Sequence, residues 1–132
     1  MPRKKPGVKQ LKDRLDRVFS EYIRRRDANA NGYAPCCSCG QVAHWKDMDA
    51  GHYISRTHNT TRYAEQNVHA QCRHCNRYDE GNKSGYTLFL IRQYGKGIIK
   101  TLDNLGHQTK RFRATELQEL LDYYRERLKE MK

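Results

Sequence analysis

Two C-x-x-C pairs are the residues of this chain whose type and spacing most directly imply chemistry. Cys36-Cys37-Ser38-Cys39 and Cys72-Arg73-His74-Cys75 each set two cysteines three positions apart. Two intervening residues make a tight turn that points both thiolates at one ion. Two such turns complete a tetrahedral four-sulfur shell, the preferred environment of zinc. A closed shell cannot activate water, so its role is structural. It contributes roughly 10 kcal/mol or more of apparent binding free energy to folding. Two disulfides, or four unrelated cysteines, are the competing readings; paired spacing in a reducing compartment argues against both. Cys37 in place of Cys36, and His74 as a substitute ligand, are the variants within the knuckles. The regular spacing selects Cys36, Cys39, Cys72 and Cys75 and leaves Cys37 as a fifth, non-ligating cysteine.

Thirty-two residues separate Cys39 from Cys72. They include Asp49-Ala50-Gly51-His52-Tyr53 and Asn67, and Asn76 directly follows the second knuckle. A neutral histidine can take a proton from water near pH 7. A carboxylate and an amide offer hard oxygens to a divalent cation, which stabilises charge on a phosphodiester and its leaving oxygen. The order of these features (a C-x-x-C pair, an acid and a histidine, an asparagine, then C-x-x-C-N) resembles the HNH, or ββα-metal, nucleases. That resemblance implies His52 as general base and Asn76 as a ligand of catalytic Mg²⁺ or Mn²⁺. It implies that Asn67 holds the loop and orients His52 through a hydrogen bond. The general HNH pattern places the metal-binding acid directly before the histidine, where this chain has Gly51. Asp49, three residues before His52, is expected to reach the ion through a bulge at Gly51. The alternative is that Asp49 is a surface turn residue.

Longer stretches sharpen the likeness. Asp49-Ala50-Gly51-His52-Tyr53-Ile54-Ser55-Arg56, Asn67-Val68-His69-Ala70-Gln71-Cys72 and Cys75-Asn76-Arg77-Tyr78 resemble the phage NinG family, also called Rap. So do Tyr22-Ile23-Arg24-Arg25-Arg26-Asp27 upstream and Gly81-Asn82 downstream. The resemblance covers roughly residues 10–95, and within that family the Asp49–His52 spacing is ordinary. It implies a structure-specific DNA endonuclease acting on branched recombination intermediates such as Holliday junctions, in the host cytoplasm if phage-encoded. Symmetric cleavage of a four-way junction requires two active sites, so a homodimer is a candidate assembly. Two other readings compete. A non-catalytic zinc-stapled nucleic-acid-binding module explains the charge and the cysteines, but not His52 and Asn76 at their spacing. A zinc-dependent protein-interaction domain leaves the basic arm unexplained.

The net charge is +11 in 132 residues, and it is uneven. Residues 1–26 hold ten Lys or Arg against three acids, residues 27–95 seven against six, and residues 96–132 nine against six. A basic arm beside a metal motif suits a phosphate backbone, which it attracts without reading sequence. Arg24, Arg25, Arg26, Arg56, Arg73 and Arg77 are the candidate DNA contacts. The three at the end of the first helix also suit the helix dipole. No stretch is apolar enough to span a membrane, and the basic start is not followed by the apolar run of a signal peptide. A cytoplasmic protein is expected.

The elements that must position these residues are short. Leu11, Leu15, Val18, Phe19, Tyr22 and Ile23 form one helical face, from about Gln10 to the Asn29–Gly32 region. Residues 1–9 read as loosely attached. Strand-like pieces fall at Gly51–Ser55 and Asn67–Ala70. Tyr86 to Leu102 reads as a helix broken at Gly95 or Gly97, followed by a loop over 103–114. A last helix starts at Thr115, with Thr115 and Gln118 at capping-box spacing. The expected fold is α+β: a small zinc-stapled ββα-metal core at 33–84, flanked by a basic arm and helix at 1–32 and C-terminal helices at 85–132, in one compact domain. With 36% hydrophobic and 31% charged residues, a domain this lean needs a staple.

Overall fold

The computed structural model describes residues 5–131. Their contacts group into two compact units: the first helix as far as Tyr22 together with residues from Arg111 onward, and residues 23–110. This grouping does not follow the expected divisions after residues 32 and 84. The reason is that the terminal helices pack on each other, while residues 85–110 belong to the core that carries the cysteines.

In the first unit, α1 (Val8–Arg26) buries Leu11, Leu15 and Phe19, and α5 (Ala114–Glu130) buries Leu117, Leu121 and Tyr124. Tyr124 meets Phe19 edge-on, with ring centroids 4.9 Å apart. Each fully buried Leu or Phe stabilises by about 1.5–3 kcal/mol, so these stripes suffice to pair two otherwise polar helices. α1 starts two residues earlier than its apolar pattern, on a bond from Leu11 N–H to the Gly7 carbonyl. The expected loose segment thus shrinks; residues 1–4 lie outside the described residues. At α5 the cap is shifted too. Glu116 accepts from the Arg113 N–H at 3.4 Å, whereas Gln118 donates to Asp122 on the exposed face.

The second unit is built on two antiparallel pairs. β1 (Tyr33–Pro35) and β2 (Val42–His44) flank the first knuckle. β3 (Met48–His52) and β4 (Val68–Cys72) pair from Met48↔Cys72 to His52↔Val68 without interruption. The connection between them carries a single helical turn, α2 (Asn59–Arg62). β4 leads into a wide helical turn at His74–Tyr78, then α3 (Lys83–Tyr94) and α4 (Ile98–Gly106). The break between the last two falls at Gly95, whose φ of +93° favours glycine. The strands lie three residues upstream and one to two residues downstream of their expected places, because β-branched and aromatic cues are sparse here.

Alternation along β3 and β4 divides this unit into two small cores. Met48, Ala70 and Cys72 face Ala34, Cys36 and Cys75 on one side. On the other, His69 and Gln71 face α3, where Tyr86 and Leu90 join Cys37, Ile98 and Leu102. Consecutive residues Cys36 and Cys37 therefore enter different cores. The outer edge of β4 is covered rather than left open: Val68 C=O accepts from Arg26, Ala70 N–H donates to Asp27, and Ala70 C=O accepts from the Cys37 N–H. The architecture is α+β with small antiparallel sheets, as expected. Among the described residues no helix is long and apolar enough to cross a membrane.

Candidate functional site

The four expected cysteines converge. One sulfur each from Cys36, Cys39, Cys72 and Cys75 lies within 4.8 Å of all the others, an arrangement that could hold a metal ion such as zinc. The knuckle geometry explains how. Cys36 Sγ accepts from the N–H groups of Ser38 and Cys39 at 3.4 and 3.5 Å, and Cys72 Sγ accepts from the Cys75 N–H at 3.4 Å. Asn82 donates to Cys75 Sγ at 3.4 Å and caps α3 by accepting from Gly85 N–H, so the second knuckle is tied to the next helix. Burial pushes the Cys75 thiol up to about 12 and raises Cys72 as well. Four sulfurs this close cannot all ionise without a cation between them. Cys37 is buried in the other core and is not in the cluster; His74 is exposed and is not in it either.

Asp49 and Asn76 also meet. Asn76 Nδ2 donates to Asp49 Oδ2 at 2.9 Å, bridging β3 to the turn after the second knuckle. Arg77 completes the group as a fork, with Nε to Oδ2 and Nη2 to Oδ1, both at 2.9 Å. Burial alone would push the Asp49 carboxyl up. The hydrogen bonds from Arg77 and Asn76, and the charges of Arg77 and Arg73, outweigh it and hold the group below the ordinary carboxylate value. The expected bulge at Gly51 is absent, since β3 keeps its register to the end. The reason lies in side-chain parity. An acid directly before His52, or three residues before it, faces the same side of an unbroken strand, so Asp49 needs no bulge to share that face. Nor could position 51 hold the acid: a Cβ there would meet the Gln71 carboxamide and lie 2.9 Å from Gln71 Cβ. Gln71 is fixed there by bonds to Ser38 Oγ and the Gly81 carbonyl at 2.8 and 2.7 Å.

His52 ends β3. Its Nε2 lies 3.0 Å from the Arg62 carbonyl, so Nε2 carries the proton and Nδ1 carries the lone pair of the neutral ring. Asn67 is fully buried and holds the loop, accepting from Ile54 N–H and donating to the Ile54 and Thr61 carbonyls at 2.8, 3.0 and 3.1 Å. Its expected hydrogen bond to His52 is not formed, because those carbonyls take both amide protons; the Arg62 carbonyl orients the imidazole instead. A second anchor carries no sequence motif. The buried Tyr86 hydroxyl donates to the carbonyls of Gly51, on β3, and Asn67, directly before β4, at 2.6 and 3.3 Å. With its proton so placed, Tyr86 accepts from His69 Nδ1, and His69 Nε2 accepts from Tyr94 at 3.2 and 2.7 Å respectively. Burial, helped by the charge of Arg26, lowers His69 to about 4 and keeps it neutral for this role.

Residues 3–132 match the family model described as Bacteriophage Lambda NinG protein. The chain belongs to the NinG family. It is 32% identical over 118 residues to the ninG proteins of Salmonella phage P22 and Escherichia phage lambda, a match covering 87% of this chain and 54% of each relative. The ninG protein of Escherichia phage 933W is likewise 32% identical, with 55% of its length matched. The chain thus spans about half the length of the NinG relatives it matches. No solved structure matches it.

The arginines of this NinG-family chain divide into different environments. Arg26 is structural: its guanidinium serves Asp27 and the Glu65 and Val68 carbonyls, at 2.8, 3.1 and 2.8 Å, with 22% of the side chain exposed. Arg26, expected as a DNA contact, is thus taken up by partners within the fold. Arg24 and Arg25 both lie over the Trp45 ring, at 5.3 and 5.4 Å, and Lys46 joins them at 5.8 Å. Arg73 is exposed and donates to the Lys46 carbonyl at 3.2 Å, so four cations converge on the Trp45–Lys46 segment. Arg56 is exposed in the loop after β3. The gathering of cations by Trp45 was missed in the sequence; the lone tryptophan beside a lysine was its only trace. His44 is half-buried between Tyr33 and Trp45 and accepts from Lys46 N–H.

Proposed function

We propose that this chain is a divalent-metal-dependent DNA endonuclease of the HNH type, organised by a structural zinc ion on Cys36, Cys39, Cys72 and Cys75. The supporting observation is the 2.9 Å hydrogen bond between Asn76 and Asp49, residues 27 positions apart brought together on the strand that carries His52. A carboxylate and an amide are the hard-oxygen donors that magnesium and manganese take, with waters filling the remaining positions. Asp49 already holds a cationic group, Arg77, which is what a cation-binding carboxylate does. Asp49 and the Asn76 amide oxygen would hold such an ion, which would supply charge neutralisation at the scissile phosphate and its leaving oxygen. His52 Nδ1 takes the proton of the attacking water, while the Arg62 carbonyl keeps the imidazole in the required tautomer. Arg24, Arg25, Lys46 and Arg73 hold the phosphate backbone nearby. The NinG resemblance supports branched recombination intermediates as the DNA, and two such sites in a homodimer for a four-way junction.

The test is incubation of purified protein with four-way, flap and linear DNA, in Mg²⁺ or EDTA, beside His52→Ala. Cleavage that needs Mg²⁺ and falls about 10²–10⁴-fold in the variant is the expected result. Full activity of His52→Ala would remove His52 as the base. A second reading is a zinc-stapled DNA-binding module without catalysis; it is favoured by the Arg77 fork, which engages both Asp49 oxygens. Tight DNA binding with no cleavage under any metal selects it.

A further inference from the structure

Arg77 occupies the ligand that the proposed cation needs. Both Asp49 oxygens are engaged by its fork, and Oδ2 also accepts from Asn76. The Asp49 side chain is 17% exposed and Arg77 53%, so the guanidinium lies on the solvent side of the pair and can leave without opening the core. A divalent ion on the same carboxylate and a guanidinium forked against it would be like charges in contact. One of them has to go. The chain holding the two is adjacent as well: Asn76 precedes Arg77, so a cation drawn to Asp49 and Asn76 meets Arg77 on the next residue.

We propose that Arg77 is an exchangeable counter-ion of Asp49. It holds the carboxylate in position until a divalent cation binds, is displaced by it, and then contacts a phosphate of the bound nucleic acid. The exchange rests on the reading of Asp49 and Asn76 as metal ligands. It differs from a fixed salt bridge, in which Arg77 stays on Asp49 throughout, and from a plain surface cation, which would contact phosphate whether or not metal is present.

The experiment is Mn²⁺ titration of the zinc-loaded full chain without DNA, read by electron paramagnetic resonance of free Mn²⁺. Wild type, Arg77→Ala, Arg77→Lys and Asp49→Asn are compared, with zinc content and circular dichroism as fold controls. Arg77→Ala is expected to bind Mn²⁺ about tenfold tighter than wild type, since a charge-assisted hydrogen-bonded competitor is removed. Arg77→Lys, which keeps the charge and loses the fork, falls between, and it carries the comparison if the alanine variant does not fold. Asp49→Asn loses the binding. Mn²⁺ binding that is equal in wild type and Arg77→Ala overturns the exchange and leaves the metal reading standing. No Mn²⁺ bound by any variant overturns both. A second arm measures DNA affinity against salt in EDTA and in Ca²⁺. In Ca²⁺, Arg77→Ala is expected to lower the slope of log affinity against log salt by about 0.9, the loss of one phosphate contact. In EDTA it leaves the slope unchanged. Equal slope changes in both conditions overturn the delivery of Arg77 to phosphate.

Discussion

The chain carries two clusters suited to cations, and they are built on opposite principles. The cysteine cluster is soft, mostly buried and closed, with its sulfurs held by backbone N–H groups of the knuckles themselves. The Asp49 cluster is hard, partly exposed and held by the side chains of two consecutive residues. The first joins β1, β4 and the turn that follows, so the small core around Met48 and Ala70 depends on it. The second joins only β3 to that turn. The difference teaches which cluster serves stability: one replaces a hydrophobic core that the composition cannot supply, and the other adds little to the fold and is arranged for exchange.

The largest test of this contrast is removal of the cysteine site. Strong chelation, or Cys72→Ser, is expected to unfold residues 23–110 in circular dichroism, since structural zinc sites supply roughly 10 kcal/mol or more. Asp49→Ala is expected to leave the spectrum and melting nearly unchanged. Equal melting of Cys72→Ser and wild type would abolish the distinction. A smaller effect separates the cluster from the loop that it does not reach. Asn67→Ala strips partners from one N–H and two carbonyls, and should cost about 2–3 kcal/mol by denaturant titration. A neutral result would mean that the cysteines alone organise β3 and β4.

The smallest effect concerns pH. The Asp49 carboxyl lies below its ordinary value in the folded chain. Its contribution is therefore fully present above the unfolded value of about 3.9 and is lost as pH falls through the lower folded value. Because Arg77 is half exposed, the contribution is about 1 kcal/mol or less. Denaturant midpoints of wild type and Asp49→Asn should differ at pH 6 and converge toward pH 2. A gap that persists at pH 2 would show that the carboxylate charge is not its source.

Legibility in the sequence followed the range of the interaction. The cysteine set was readable because each knuckle is a local turn and zinc chemistry fixes how many knuckles meet. The apolar stripe of α1, the presence of the last helix and the break at Gly95 were readable for the same local reason. Asp49 and Asn76 were paired through resemblance alone, and the route between them was wrong: parity, not a bulge, puts Asp49 on the side where Gly51 stands. Arg26 was read with Arg24 and Arg25 as part of one charged run. What separates it is the outer edge of β4, which no strand among the described residues pairs and whose Val68 carbonyl and Ala70 N–H take Arg26 and Asp27 as partners across more than forty residues. No window of sequence displays an unpaired carbonyl. Tyr86 was read only as an apolar position in a helix, since its hydroxyl acts on two backbone groups that have no side-chain signature.

The space that Gln71 takes over Gly51 has an evolutionary consequence. Residue 51 cannot gain a side chain while residue 71 keeps its length, so the two positions should vary together across NinG relatives: glycine at 51 with a long residue at 71, a larger residue at 51 only with a short one at 71. In a double-mutant cycle of Gly51→Ala with Gln71→Ala, the second substitution should relieve part of the cost of the first. A chain with the acid directly before its histidine would then be one that had already emptied position 71, and the two ligand spacings would be alternative solutions separated by one compensating change.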